Sequence, residues 1–149
     1  MKPFDYRTSS WLAYTRACDF LSVASELERQ EDFKLVPTVV NAAFSCELYL
    51  KAHLIMQNRT SGPIKAHKLR DLFQMLDEES QKIVKSKADI FDWDHFLDEA
   101  DNAFVEWRYI HEEEKLMYIS ISGLIRFAEA LKSRYENKYI PKEVPDDKQ

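Results

Sequence analysis

Only two glycines, Gly62 and Gly123, occur in the 149 residues of this chain. Sandwiches and barrels reverse direction many times, and tight reversals draw heavily on glycine. So small a supply argues against an all-β fold. Apolar residues recurring at spacings of three and four supply the positive half of the argument. The expected fold is all-α: a four- to five-helix up-and-down bundle forming one domain over residues 1–140. A hydrophobic content of 45% supports a true core at this length. Residues 141–149 are polar, contain Pro141 and Pro145, and are expected to form a disordered tail.

The spacing predicts a first helix over Thr8–Glu31, capped by Thr8, Ser9 or Ser10. A second helix is predicted over Pro37–Asn58, with the proline in its first turn. It is apolar around most of its circumference, which suits the middle of a bundle. A short helix is expected over His67–Leu76, with a further turn or two over Glu78–Ser86. Two long helices, Asp94–Glu114 and Lys115–Tyr135, complete the set. Gly123 falls within the last of these. It weakens the helix by about 1 kcal/mol relative to alanine and permits close helix contact.

The formal net charge is −5, so there is no bulk attraction to nucleic acid, and RNA contact requires a local basic patch. The one candidate is His67-Lys68-Leu69-Arg70, with Lys65, Lys82, Lys85 and Lys87 in the same region. Against it stands Asp92–Glu114, with nine acidic residues and Arg108 as its single Lys or Arg. Cys18 and Cys46 both lie in apolar helical patterns and read as buried reduced thiols. No apolar run approaches the roughly 20 residues of a membrane span, and Met1–Asp5 lacks the apolar core of a signal peptide. A cytoplasmic protein without membrane contact is expected.

Phosphate-binding glycine loops, His-Glu-x-x-His, paired cysteines and nucleophile elbows are all missing from the sequence. No Glu-x-x-His pair is present to build a carboxylate metal site in a bundle, so neither a metal nor a cofactor is expected. What remains is a polar set: Glu47, Lys51, His67, Asp101, Arg108, Tyr109 and His111. Glu47 lies within about 20° of the line joining Val36 and Leu54, so it is buried or lines a cleft. A buried carboxylate needs a cation, and Arg108, bordering the seam of the fourth long segment, is the best candidate. Such a pair can simply fix how the two helices dock. Alternatively, Arg108 and His111, about 60° apart on one helix, can point into one cleft. Histidine can then take a proton from a ribose 2′-hydroxyl while arginine stabilises charge building on phosphate. The plain alternative for His111 is a half-buried seam residue beside Glu112, Glu113 and Glu114.

Three stretches together resemble the HEPN superfamily. Ala43-Phe44-Ser45-Cys46-Glu47-Leu48-Tyr49-Leu50-Lys51-Ala52 is similar to its central helix, with an inward Glu and a Leu-Lys pair. His67-Lys68-Leu69-Arg70-Asp71-Leu72-Phe73 is similar to its His-x-Leu-x-x-Leu-Phe segment. Ala103-Phe104-Val105-Glu106-Trp107-Arg108-Tyr109-Ile110-His111-Glu112 is similar to its late Phe-x-x-x-Arg-Tyr-x-x-Glu pattern. The resemblance implies a helical bundle that dimerises. It implies a metal-independent endoribonuclease, or an RNA-associated toxin or phage-defence component. Arg108 would hold phosphate, His111 would carry the proton and Glu47 would orient Arg108, with His67, Lys51, Lys68, Tyr109 and Asp101 as ligand-binding residues. Arg108 and His111 stand closer together than the pair in active members. The alternative is therefore a catalytically silent dimerisation or partner-binding module, paired with a nucleotidyltransferase or an antitoxin. A third reading is a small-ligand binder anchored on Glu47, His67 and Arg108.

Overall fold

The computed structural model describes residues 5–60, 62–106 and 120–142. They form six helices: α1 (Tyr6–Arg29), α2 (Leu35–Asn58), α3 (Leu69–Gln74), α4 (Glu78–Ala88), α5 (Trp93–Glu106) and α6 (Ile121–Tyr139). There is no strand among the described residues. The stretch after Glu78, read from sequence as a turn or two, is an eleven-residue helix. Its polarity hid it, because only Ser80, Val84 and Ala88 are buried.

Helix directions follow from which residues meet. Ser10 Oγ donates to the Ala52 carbonyl at 2.8 Å, and Ser45 Oγ donates to the Ala17 carbonyl at 2.9 Å. Residue number rises along α1 as it falls along α2, so the two are antiparallel. Cys46 Sγ meets the Leu124 carbonyl and His53 Nε2 the Leu131 carbonyl, so α2 and α6 run parallel. Arg134 meets Ser80 while Arg126 meets Ala88, so α4 is antiparallel to α6. α2 packs against α1, α3, α5 and α6, as its apolar circumference requires.

The α1 start differs from expectation. Asp5 is the N-cap, accepting from the Arg7 amide at 3.1 Å. Ser10 is unavailable for capping because it is fully buried, bonded to Ala52 and to the Tyr135 hydroxyl. With few glycines, helix ends use other residues in the left-handed region: Arg59 (φ 51°) after α2 and Asp89 (φ 49°) after α4. The guanidinium of Arg126 donates to the carbonyls of Ala88 (3.1 Å) and Asp89 (2.7 Å), a cation at the negative end of α4.

The core is aromatic where α3, α5 and α6 meet. Phe127, fully buried, lies 5.1 Å from Trp93, 5.8 Å from Phe73 and 6.0 Å from Phe96 between ring centroids, edge to face in each case. Gly123 belongs to the first turn of α6, three residues after the capping Ser120, rather than to mid-helix. The close contact expected of it is there. A Cβ at this position would stand 2.9 Å from Ser120 Oγ and 3.0 Å from Phe96 Cε2. Ser120 Oγ is the cap that accepts from the Gly123 amide, and Phe96 is locked in the ring cluster. Gly123→Ala is therefore expected to destabilise the protein by about 1–2 kcal/mol despite alanine's better helix propensity. Urea unfolding at neutral pH checks it; an unchanged or higher midpoint would show that Phe96 can retreat freely.

Candidate functional site

Glu47 and Lys51 are one turn apart on α2 and share a face. Glu47 keeps 16% of its side-chain exposure, so it lines a cleft rather than being sealed in the core. His67 precedes α3, and the buried Leu69 two residues later holds this segment against the bundle. His67 Nδ1 stands 3.1 Å from Glu47 Oε1 and 3.2 Å from Lys51 Nζ; Lys51 Nζ is 3.7 Å from the same carboxylate oxygen. One ring nitrogen cannot both donate to Glu47 and accept from Lys51. The charge-assisted bond to carboxylate is the stronger, so Nδ1–H donates to Glu47 and Lys51 completes the ion pair with Glu47. Nε2 is then left on a side chain that is 73% exposed.

Asp101, on α5, closes the far side of this cleft, which it shares with Ala43, Phe44, Leu69 and Ala100. The space is about 20 Å³, room for a single water. Asp101 accepts from the Arg70 amide at 2.8 Å, capping α3 from another helix, since Lys68 at the N-cap makes no side-chain capping bond. Burial pushes the Asp101 carboxyl up, against the opposing pull of that amide and of the Arg70 guanidinium. Lys68 itself is exposed.

The sequence reading missed the role of Arg70. Its guanidinium donates to Asp98 Oδ1 (2.7 Å) and to the Asp94 carbonyl (2.6 Å), and it lies 3.9 Å from Asp101 Oδ2. Asp94, Asp98 and Asp101 fall on one face of α5 at spacings of four and three, so three carboxylates converge on one cation. That acidic ladder is visible in the sequence; its partner becomes visible only in the fold.

The structure thus brings together Glu47, Lys51, His67 and Asp101. The cation it places against Glu47 is Lys51, with His67 alongside. Arg108, Tyr109 and His111 lie outside the described residues, and so does the proposed pairing of Glu47 with Arg108. Cys46 is buried and Cys18 half-buried, both as free thiols; burial pushes the Cys46 thiol up, and the Tyr49 hydroxyl donates to Cys18 Sγ at 3.1 Å. Among the described residues, no group of three or more His, Cys, Asp or Glu could hold a metal ion, and no helix is long and apolar enough to cross a membrane. No family model, no curated protein and no solved structure matches the chain.

Proposed function

We propose that this chain is a HEPN-like, RNA-associated protein acting as a metal-independent endoribonuclease in the cytoplasm, in a toxin or defence setting. The observation that carries the reading is the carboxylate–histidine pair. Glu47 orients His67 through Nδ1 and leaves Nε2 at the surface, an arrangement suited to moving a proton at a ribose hydroxyl. Lys51 beside it offers positive charge to a phosphodiester. Arg108 as phosphate holder and His111 as second proton carrier are assigned by resemblance, and a homodimer would bring two such sets together. The test is cleavage of single-stranded RNA by the purified protein in the presence of a chelator. Arg108→Ala and His67→Ala are each expected to slow cleavage by about a hundredfold or more. Cleavage by Arg108→Ala at the parent rate would overturn the assignment.

The small cleft favours a second reading. A cavity of about 20 Å³ admits water and not a phosphate group, as expected of a polar latch between α2 and α3. On this reading the protein is a silent HEPN-like dimerisation module whose partner is a nucleotidyltransferase or an antitoxin. Light scattering that finds a dimer, with no RNA cleavage by the parent, would select it.

A further inference from the structure

Four side chains that can each give up an electron stand in line between α1 and α2. Trp11, 49% exposed, meets water at one end. Its ring lies 5.2 Å from that of Tyr14 between centroids, and Tyr14 lies 5.9 Å from Tyr49. The Tyr49 hydroxyl donates to Cys18 Sγ at 3.1 Å. Cys18 in turn opens on a groove of about 530 Å³ between α1 and α6. The line starts at solvent, crosses two buried phenols and ends at a thiol that solvent also reaches. Packing alone does not ask for this, since phenylalanine fills the space of Tyr14 and Tyr49 without burying a hydroxyl.

Tyr14 also stacks on Tyr135 at 4.7 Å, and Tyr135 leads on to Tyr139. That branch is a poor destination for an electron hole. The Ser10 hydroxyl gives its one proton to the Ala52 carbonyl, so the Tyr135 hydroxyl donates to Ser10. A serine oxygen is too weak a base to keep the proton of an oxidised phenol. The Lys138 ammonium stands 5.4 Å over the Tyr139 ring and opposes positive charge there. On the other branch, Tyr49 has a sulfur to receive its proton. Burial, and then interaction with Cys18, push the Tyr14 and Tyr49 hydroxyls up, so each phenol holds its proton until it loses an electron.

We infer that these residues relay one-electron oxidation from Trp11 through Tyr14 and Tyr49 to Cys18, where a small thiol entering the groove quenches it. Trp11 gives one electron to the oxidant, a radical or photo-oxidant at the surface. Tyr14 refills Trp11, and Tyr49 refills Tyr14. As Tyr49 is oxidised its proton shifts along the hydrogen bond to the Cys18 thiolate. The hydrogen atom then returns to the Tyr49 oxygen and leaves a thiyl radical. In net terms the Cys18 thiol has lost one electron to the oxidant and one proton to water in the groove. The small thiol restores it: its S–H bond breaks, the Cys18 S–H bond forms, and the radical departs on the small molecule. The relay would spare the framework of α1, α2 and α6 from oxidation in place. It uses none of Glu47, Lys51 or His67 and stands apart from the RNA reading.

Flash oxidation of the full chain with photogenerated tris(bipyridine)ruthenium(III), without oxygen and with a nitrone spin trap, tests it. Peptide mass spectrometry is expected to find the nitrone on Cys18, and added glutathione is expected to abolish that adduct. Trp11→Phe, at a half-exposed position, is expected to lose most of the Cys18 adduct with its melting temperature kept. Tyr49→Phe is expected to lose it too, with the electron paramagnetic resonance signal of a tyrosyl radical appearing instead. Tyr135→Phe, equally buried but on the branch, is expected to trap at Cys18 like the parent. An unmodified Cys18 in the parent, or a parent-like yield in either Trp11→Phe or Tyr49→Phe, would overturn the inference. So would a loss in Tyr135→Phe as large as that in Tyr49→Phe, because the hydroxyls would then matter only for packing.

Discussion

Phe127→Ala is expected to lower stability by about 3–5 kcal/mol and the melting temperature by about 10–15 °C. The ring is fully buried and meets Phe73, Trp93 and Phe96, each edge to face. Truncation removes the transfer free energy of the benzyl group and leaves a cavity. Its wall takes Phe73 from α3 and Trp93 and Phe96 from α5, and neither helix can collapse into the space independently. The loss is a large part of the roughly 5–15 kcal/mol that holds a domain together. Thermal unfolding followed by circular dichroism checks it. A drop below about 1.5 kcal/mol would mean that the cluster repacks.

The second large effect is a loss of stability in mild acid, set by His53. This side chain is 1% exposed between α2 and α6 and packs edge-on to Tyr135 and Tyr139. Its Nε2–H donates to the Leu131 carbonyl at 2.9 Å, while Nδ1 has no hydrogen bond among the described residues. Burial pushes its pKa down to about 4, with Lys138 and Arg134 acting in the same direction against the Leu131 carbonyl. Above pH ~6.5 the ring is neutral both folded and unfolded and contributes no pH dependence. As pH falls from there toward 4, the unfolded chain takes up a proton that the folded one refuses. Stability therefore declines, by up to about 3 kcal/mol. Urea titrations at pH 7.5, 6.5, 5.5 and 4.5 measure the slope. His53→Gln keeps a donor for Leu131 and should flatten it; a variant as acid-sensitive as the parent would assign the effect elsewhere. Asp77 responds lower. Burial raises its carboxyl, but the Ser80 amide and Lys138 outweigh that and hold it at about 2. Its contribution is thus present above pH ~3.8 and lost as pH falls toward 2.

Much of the architecture was legible in the sequence. Where apolar spacing is strong, as in α1, α2 and α6, element and type follow from periodicity; for Glu47 periodicity left two placements, buried or lining a cleft, and the fold shows the cleft. Local signals failed where a tertiary partner claimed the residue. Ser10 resembles a cap and is instead a buried tie to Ala52 and Tyr135. His53 resembles one more member of an apolar stripe, and nothing in its neighbours reveals the Leu131 carbonyl waiting across the helix interface. Within the candidate site, the Glu47–Lys51 pair is local and readable. The convergence of Asp94, Asp98 and Asp101 on Arg70 joins residues 24–31 positions apart, and no periodicity encodes it.

The placement of α2 divides the molecule unevenly. Nearly everything leans on that one rod, but α4 rests on α6 instead and is tied to the end of α2 through the Gln57 amide, which bridges Met75 and Asp77. A local opening of α4 can therefore occur without disturbing the α1–α2–α6 framework, whereas no fluctuation that frees α2 stops short of global unfolding. Amide exchange is therefore expected to be fastest along the wall that carries Lys82 and Lys85 and slowest along α2.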